Sequence, residues 1–208
     1  MNHVMIDLET FGTRSQSVIV SIGAVQFDPH SQALGETFHD AIDLKSAIGH
    51  GLKMDPSTVL WWLEQTDAAR SALVTKVKGA SSLASSLDWF RSFLQGIATS
   101  VASKDYFVWG NGADFDLALL QQAYESLGQE KPWKYNASRC YRTLLAEFGR
   151  PEDHVAPELA HDALSDAIAQ AETTQNIFAR LRQQQADAEE LIRTKVNFLQ
   201  AIIKGPRA

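Results

Sequence analysis

Up to Ile42 the chain holds three apolar, β-branched stretches parted by short turns, and this arrangement restricts the fold more than any other feature. The stretches are Met1 to Thr10 (MNHVMIDLET), Ser17 to Phe27 (SVIVSIGAVQF) and Gly35 to Ile42, with Phe11-Gly12-Thr13 and Asp28-Pro29-His30-Ser31 at the joints. Branched side chains suit a pleated strand, and Gly, Pro and Asp suit turns. Parallel neighbours need a crossover of about a dozen residues, so joints this short predict an antiparallel meander that opens the sheet.

The remainder reads mostly as helix. Asp55-Pro56 is a helix start, with Asp55 as N-cap and Pro56 at the first helical position, leading into Ser57 to Gln65 (STVLWWLEQ). Further helices are predicted over Asp67 to Thr75, Ser81 to Ile97, Ala113 to Leu127, Ala137 to Phe148, and from Asp162 through Phe178 toward Arg182. One more short strand, Asp105 to Trp109 (DYFVW), precedes the turn Gly110-Asn111-Gly112. In the last stretch, Asp187 to Ile203, the residues Leu191, Ile192, Val196, Phe198, Leu199, Ile202 and Ile203 recur at helical spacing. They predict a separate closing helix that packs on the body or on a second subunit. At 208 residues and 45% hydrophobic, with no linker-like stretch, one domain over 1–208 is expected.

Within this frame a few side chains carry chemistry. Alternation along the first strand sends Met5, Asp7 and Glu9 to one face and Val4, Ile6 and Leu8 to the other. Two carboxylates side by side on a partly buried strand repel each other unless a cation sits between them, whereas at a solvated strand end they need nothing. Asp114 and Asp116 lie about 200° apart on a helix and cannot share one site; Asp114 has the plain role of complementing the helix dipole. Trp61 and Trp62 are adjacent on a helix, so one can be core while its neighbour faces a groove. Arg139 and Arg142 fall on roughly one helical face, either solvated or able to hold a phosphate. A polar loop, Arg150 to Leu159 (RPEDHVAPEL), mobile by composition, delivers His161, with Asp162 as N-cap and Asp166 in the first full turn of the next helix.

Charge and cysteine content narrow the partners. A formal net charge of -6 gives no basic footprint for wrapping long nucleic acid, although bound cations would change the local sign at one end. The single cysteine, Cys140, cannot form an internal disulfide, and the N-terminus lacks a leader pattern, so a cytoplasmic location is expected. No apolar run approaches the ~20 residues that span a bilayer, so no membrane partner is expected.

Taken in order, Asp7-Leu8-Glu9-Thr10, Asn111-Gly112-Ala113-Asp114-Phe115-Asp116 and His161-Asp162-Ala163-Leu164-Ser165-Asp166 resemble the three motifs D-x-E-T, N-x-x-x-F-D and H-x-A-x-x-D of the DEDD superfamily of 3'-5' exonucleases, in its histidine-bearing DEDDh variant. The segments VIVSIGAVQFD, STVLWWLEQ and PWKYNASRCYRTL further resemble phage and prophage exonucleases of the exodeoxyribonuclease VIII type, over about Val4 to Ala179. The resemblance implies an α/β, ribonuclease H-like fold: a central mixed five-stranded sheet, its first three strands antiparallel, flanked by helices. It implies two magnesium or manganese ions held by Asp7, Glu9, Asp116 and Asp166, with His161 as general base. It selects Asp116 over Asp114.

By the same resemblance, main chain at Thr10 and Phe11 would bind the terminal 3'-hydroxyl and Phe11 could stack on a base, with Asn111, Trp62 and Arg142 as further substrate contacts. The expected activity is hydrolysis from the 3' end of DNA, in single strands or overhangs, releasing nucleoside 5'-monophosphates. The alternatives are a 3'-5' exoribonuclease, including an oligoribonuclease-like enzyme, and a non-catalytic nucleic-acid-binding module. A homodimer is compatible with the family, and the tail could contribute to it.

Overall fold

A computed structural model describes residues 1–100 and 105–204, with side chains through residue 200 apart from that gap. Five strands form one sheet in the order β3-β2-β1-β4-β5. The expected meander is β1 (His3–Thr10), β2 (Ile19–Phe27) and β3 (Leu34–Ala41), paired antiparallel in sequence. Three helices, α1 (Leu44–Gly49), α2 (Pro56–Leu63) and α3 (Asp67–Val77), lead to the long α4 (Leu83–Ser100). Asp55 caps α2 as its sequence predicts, accepting a hydrogen bond from the Ser57 N–H. Strand β4 (Phe107–Gly110) then runs parallel to β1, followed by α5 (Asp116–Ser126).

Both faces of the sheet are covered, which is why every residue of β2 is buried. Val4, Ile6 and Leu8 pack with Leu87, Phe90 and Leu94 of α4 and Leu120 and Tyr124 of α5. Met5, Val25, Phe27 and Trp109 pack on Ala167 and Ala171 of the last helix. The small side chains of that helix allow a close approach, closest at Gly23, which pairs with Asp7 across β1 and β2. A Cβ at Gly23 would fall 2.1 Å from the Ala163 main chain. Backbone cannot yield as a side chain can, so Gly23→Ala is expected to destabilise the protein by roughly 2 to 4 kcal/mol and to shift the helix start that carries Asp166. Thermal denaturation read together with activity checks this; an unchanged melting temperature would contradict the contact.

Two elements differ from the sequence expectation. The helix predicted over Ala137 to Phe148 divides into β5 (Ser138–Cys140) and α6 (Tyr141–Phe148). Ser138, Arg139 and Cys140 pair in parallel with Val108, Trp109 and Gly110, and three residues are too few to leave a periodic signal. Arg139 and Arg142 therefore do not share a helical face. The Arg139 guanidinium lies 4.3 Å from the Phe107 ring centroid and donates to the Asn136 and Ser138 carbonyls.

The second difference is in the tail. Instead of two helices, α7 (Ala163–Lys204) runs unbroken for 42 residues, about 63 Å at 1.5 Å per residue. The Gln183-Gln184-Gln185-Ala186 segment has no Gly or Pro, and Gln183–Asp187 and Gln185–Glu189 hydrogen bonds support it. From Arg182 to Gln200 every residue is exposed, so the stripe of Leu191, Ile192, Val196, Phe198 and Leu199 is not packed on the body. The side chains of Ile202 and Ile203 lie outside the described residues. No described helix is long and apolar enough to cross a membrane.

Candidate active site

Because β1 and β4 are parallel, their C-terminal ends lie at the same edge of the sheet, where ligands of such sheets bind. The pairing of β1 with β4 ends at Ile6 opposite Gly110, so Asp7 and Glu9 extend past the last rung on that side. The space beside them is filled by the turn after β4 and the start of α5. Gly112, with φ 120°, makes the turn, and its carbonyl accepts from the N–H groups of Phe115 and Asp116 at 2.8 and 3.1 Å. Asp116 thus becomes the first residue of α5 and points inward, 1% exposed, while Asp114 stays exposed in the turn before the helix. Gly110 makes room: a Cβ there would stand 3.0 Å from the Asp116 carboxylate.

The third group of residues arrives from the start of α7. Asp162 accepts from the Ser165 N–H at 3.0 Å, the cap expected from sequence, and α7 directs Asp166 and Gln170 at β1. Gln170 Nε2 donates to Asp7 Oδ1 at 2.8 Å. Ligand atoms of Glu9, His161 and Asp166 lie within 4.8 Å of one another. The loop before His161 is anchored at its start rather than loose throughout. Asp153 pairs with Arg180 at 2.8 Å and the Val155 N–H donates to Thr173 at 3.0 Å, leaving the exposed tip before His161.

Electrostatics at this edge are those of a site short of positive charge. Burial, then the charges of Asp116 and Glu9, pushes the Asp7 carboxyl well above the usual range, against the Gln170 hydrogen bond. Glu9 is pushed up to about 8 by burial and by Asp166, with Lys76 opposing. Asp116 is pushed up to about 7 by burial, partly offset by main-chain hydrogen bonding from Asp116 itself, Asn111 and Leu8. Asp166 is raised by burial and drawn back by His161. Asp116 Oδ2 finds no hydrogen-bond partner among the described residues. Converging carboxylates with an orphaned buried oxygen fit hard divalent cations such as magnesium or manganese, which prefer oxygen ligands.

A pH effect on stability follows with a definite sign. Between its unfolded value near 4.5 and about 8, Glu9 holds its proton more tightly in the folded chain, and Asp116 does so from 3.8 to about 7. At these two groups the folded state therefore binds more protons, so the stability they contribute is greatest below these windows and falls as pH rises through them. The metal-free protein should melt at least about 5 °C lower at about pH 8 than at about pH 5.5, and magnesium or manganese should close the gap. Melting curves in chelator at both pH values check this; a higher melting point at the higher pH would contradict it.

The expected substrate contacts are placed differently. Phe11 is 7% exposed and meets Trp62 edge to face, plugging the space between the β1 turn and α2, so it offers no face to a base. Main chain there is already engaged: the Phe11 N–H donates to Val18, its carbonyl accepts from Asp55, and the Thr10 carbonyl accepts from Trp62 Nε1. The Thr10 hydroxyl donates to the Gly12 carbonyl at 2.8 Å. Trp62 is 3% exposed and is the core member of its pair, and Trp61, 43% exposed, is the open one. Both border a cleft of about 450 Å³ lined also by Glu9, Thr10, Thr13 and Thr58. Asn111 lines a second cleft, about 250 Å³, with His154, Asp166 and Gln170. Arg142 is exposed and donates to the Asn111 carbonyl at 2.8 Å.

Two neighbours of the site were not read from sequence. Gln170 had a usable signal, standing four residues after Asp166 and so on the same helical face. Lys76 had none, since it reaches Asp162 across 86 positions.

Residues 2–178 match the sequence model of the family described as "Rv2179c-like: 3'-5' exoribonuclease Rv2179c-like domain". No curated protein sequence matches significantly. Among solved structures, the zinc-bound E. coli ExoI–ssDNA complex superposes with a TM-score of 0.61 at 15% identity, covering 88% of this chain and 41% of that one. A structure of exonuclease I, described as suggesting how processivity is achieved, gives 0.57 at 17% identity, with 88% and 43% covered. Cell-death related nuclease 4 (CRN-4) gives 0.56 at 12% identity, with 86% and 64% covered. The chain thus spans less than half the length of these exonuclease I chains, and the likeness establishes a common ribonuclease H-like exonuclease fold.

Proposed function

The chain belongs to the Rv2179c-like 3'-5' exoribonuclease domain family, DEDD-type 3'-5' exonucleases on the ribonuclease H-like fold, and from that membership we propose that it hydrolyses RNA from the 3' end, releasing nucleoside 5'-monophosphates. The family description favours RNA over the DNA substrate expected from sequence. The narrower resemblance to exodeoxyribonuclease VIII-type enzymes rests on the quoted segments alone. The observation that carries the reading is the meeting of Glu9, His161 and Asp166 within 4.8 Å beside Asp7 and Asp116.

Asp7, Glu9, Asp116 and Asp166 would hold two magnesium or manganese ions, which neutralise charge at the reacting oxygens and acidify water. His161 stands at the exposed rim and serves as general base. An imidazole nitrogen takes a proton as a water oxygen bonds to the terminal phosphorus. The bond from that phosphorus to the 3'-oxygen of the preceding nucleotide breaks, and that oxygen takes up a proton from solvent to become the new terminal 3'-hydroxyl. Gln170, by donating to Asp7 Oδ1, fixes which way that carboxylate faces. Trp61 supplies an exposed aromatic ring beside Glu9 and Thr10 and takes the stacking role expected of Phe11; stacking of this kind contributes about 1 to 3 kcal/mol per base.

Digestion of 5'-labelled RNA and DNA of one sequence, linear and circular, tests the reading. The expected result is a ladder shortened one nucleotide at a time from the 3' end, at least about tenfold faster on RNA, absent on circles and abolished by chelator. Cleavage of circular RNA would reject exonuclease action, and faster DNA digestion would move the substrate to DNA.

A further inference from the structure

His161 is the one non-glycine residue with a left-handed backbone among the described residues, at φ 62°. An L-residue in that region is strained, and such a conformation persists only where the surroundings impose it. Here the surroundings are α2 and α3. The rings of Trp61 and Trp62 meet the imidazole nearly edge-on, with centroids 5.2 and 5.9 Å away. On the other side Lys76 Nζ forms an ion pair with Asp162, the residue after His161. The two side chains are only 23% and 14% exposed.

Asp162 is the junction of this arrangement. One carboxylate oxygen accepts from the Ser165 N–H, the other meets Lys76, and its carbonyl accepts from the Asp166 N–H at 2.8 Å. Helix α3 contains no buried residue, and only Leu73 and Val77 of it pack partly on the core. With so little apolar packing, the ion pair is a principal tie between α3 and the rest of the site. A partly buried ion pair adds little to stability and more to specifying one geometry.

We propose that Lys76 is a positioning residue for catalysis: through Asp162 it holds His161 in its left-handed conformation and so aims the imidazole into the site. This inference rests on the reading of His161 as general base. Lys76 does not itself contact the substrate in this account, so its loss acts on turnover and not on binding.

The test is a double-mutant cycle on a labelled oligoribonucleotide, using Lys76→Met, Lys76→Arg, His161→Ala and the Lys76→Met/His161→Ala pair. Lys76→Met should lower kcat about 10- to 100-fold with KM within about twofold, the scale of removing an outer positioning contact. Lys76→Arg should recover most of that loss. With magnesium saturating, so that loss of the Lys76 charge near Glu9 leaves metal occupancy unchanged, Lys76→Met should add nothing in the His161→Ala background, because both act through one group.

Asp162→Asn, which keeps a capping side chain and removes the charge, should reproduce the Lys76→Met effect and keeps the proposal testable if that variant fails to fold. Unchanged kcat, a loss confined to KM, or losses that multiply in the double variant would overturn the inference while leaving the base assignment intact. Wild-type turnover by His161→Ala alone would overturn the base assignment and this inference with it.

Discussion

Replacing Asp7 with asparagine is expected to abolish hydrolysis while raising the melting temperature of the metal-free protein. The first half follows from position: Asp7 lies where the charges of Glu9, Asp116 and Asp166 converge, and an amide gives up the negative charge that would hold cations there. Turnover should fall by ~10³-fold or more, the scale of removing a group that acts on the reacting atoms. The second half follows from electrostatics. The Asp7 carboxyl is raised well above its usual range by burial and by the charges of Asp116, Glu9 and Asp166, so above the usual carboxylate range the unfolded chain gains more from ionising it than the folded chain does. Asparagine has no such preference. Its amide could also donate to Gln170 Oε1, which is buried without a partner among the described residues. Single-turnover assays and melting curves in chelator decide the matter; activity within about tenfold of wild type, or a lower melting temperature, would refute it.

Truncation of His161 to alanine is the second large effect expected, of ~10² to 10⁴-fold in kcat, the usual contribution of a general base. The residue is exposed and outside the core, and its ring contacts are with Trp61 and Trp62, so the melting temperature should fall by no more than about 4 °C. What remains should be a slow reaction driven by hydroxide. An unchanged kcat would remove His161 from the reaction. The pairing of a large kinetic effect with a small thermal one separates this residue from Gly23, where both readouts should fall together.

The sequence carried the site where chemistry demands particular residue types near a turn or cap. Asp7 and Glu9 share a face by strand alternation, Asp166 follows from the helix that Asp162 caps, and Asp116 is set apart from Asp114 only by the family resemblance, since how the Gly112 turn orients them is visible in the structure alone. The meander was legible because its three strands are neighbours in the chain. What escaped were choices made by tertiary contact. Strand β5 exists because β4 offers it a hydrogen-bonding edge, not because three residues prefer to be extended. Phe11 and Trp62 are core and Trp61 is not, and only the placement of α2 over the β1 turn distinguishes them. Lys76 is an ordinary helix lysine until α3 lies across the start of α7. The unbroken α7 was missed for a different reason: its stripe suggested a packed helix, whereas its actual continuity comes from local propensity through Gln183 to Ala186.

The hydrogen bond from Gln170 to Asp7 spans 163 positions. Such a separation orders events during synthesis. As the chain emerges from a ribosome, the meander can pair early, but Asp7 and Glu9 face an empty edge until α7 has been made and docked on β2. A nascent chain therefore carries its acidic strand without the histidine and the last carboxylate. The full set of site residues cannot assemble until Gln170 has left the ribosome.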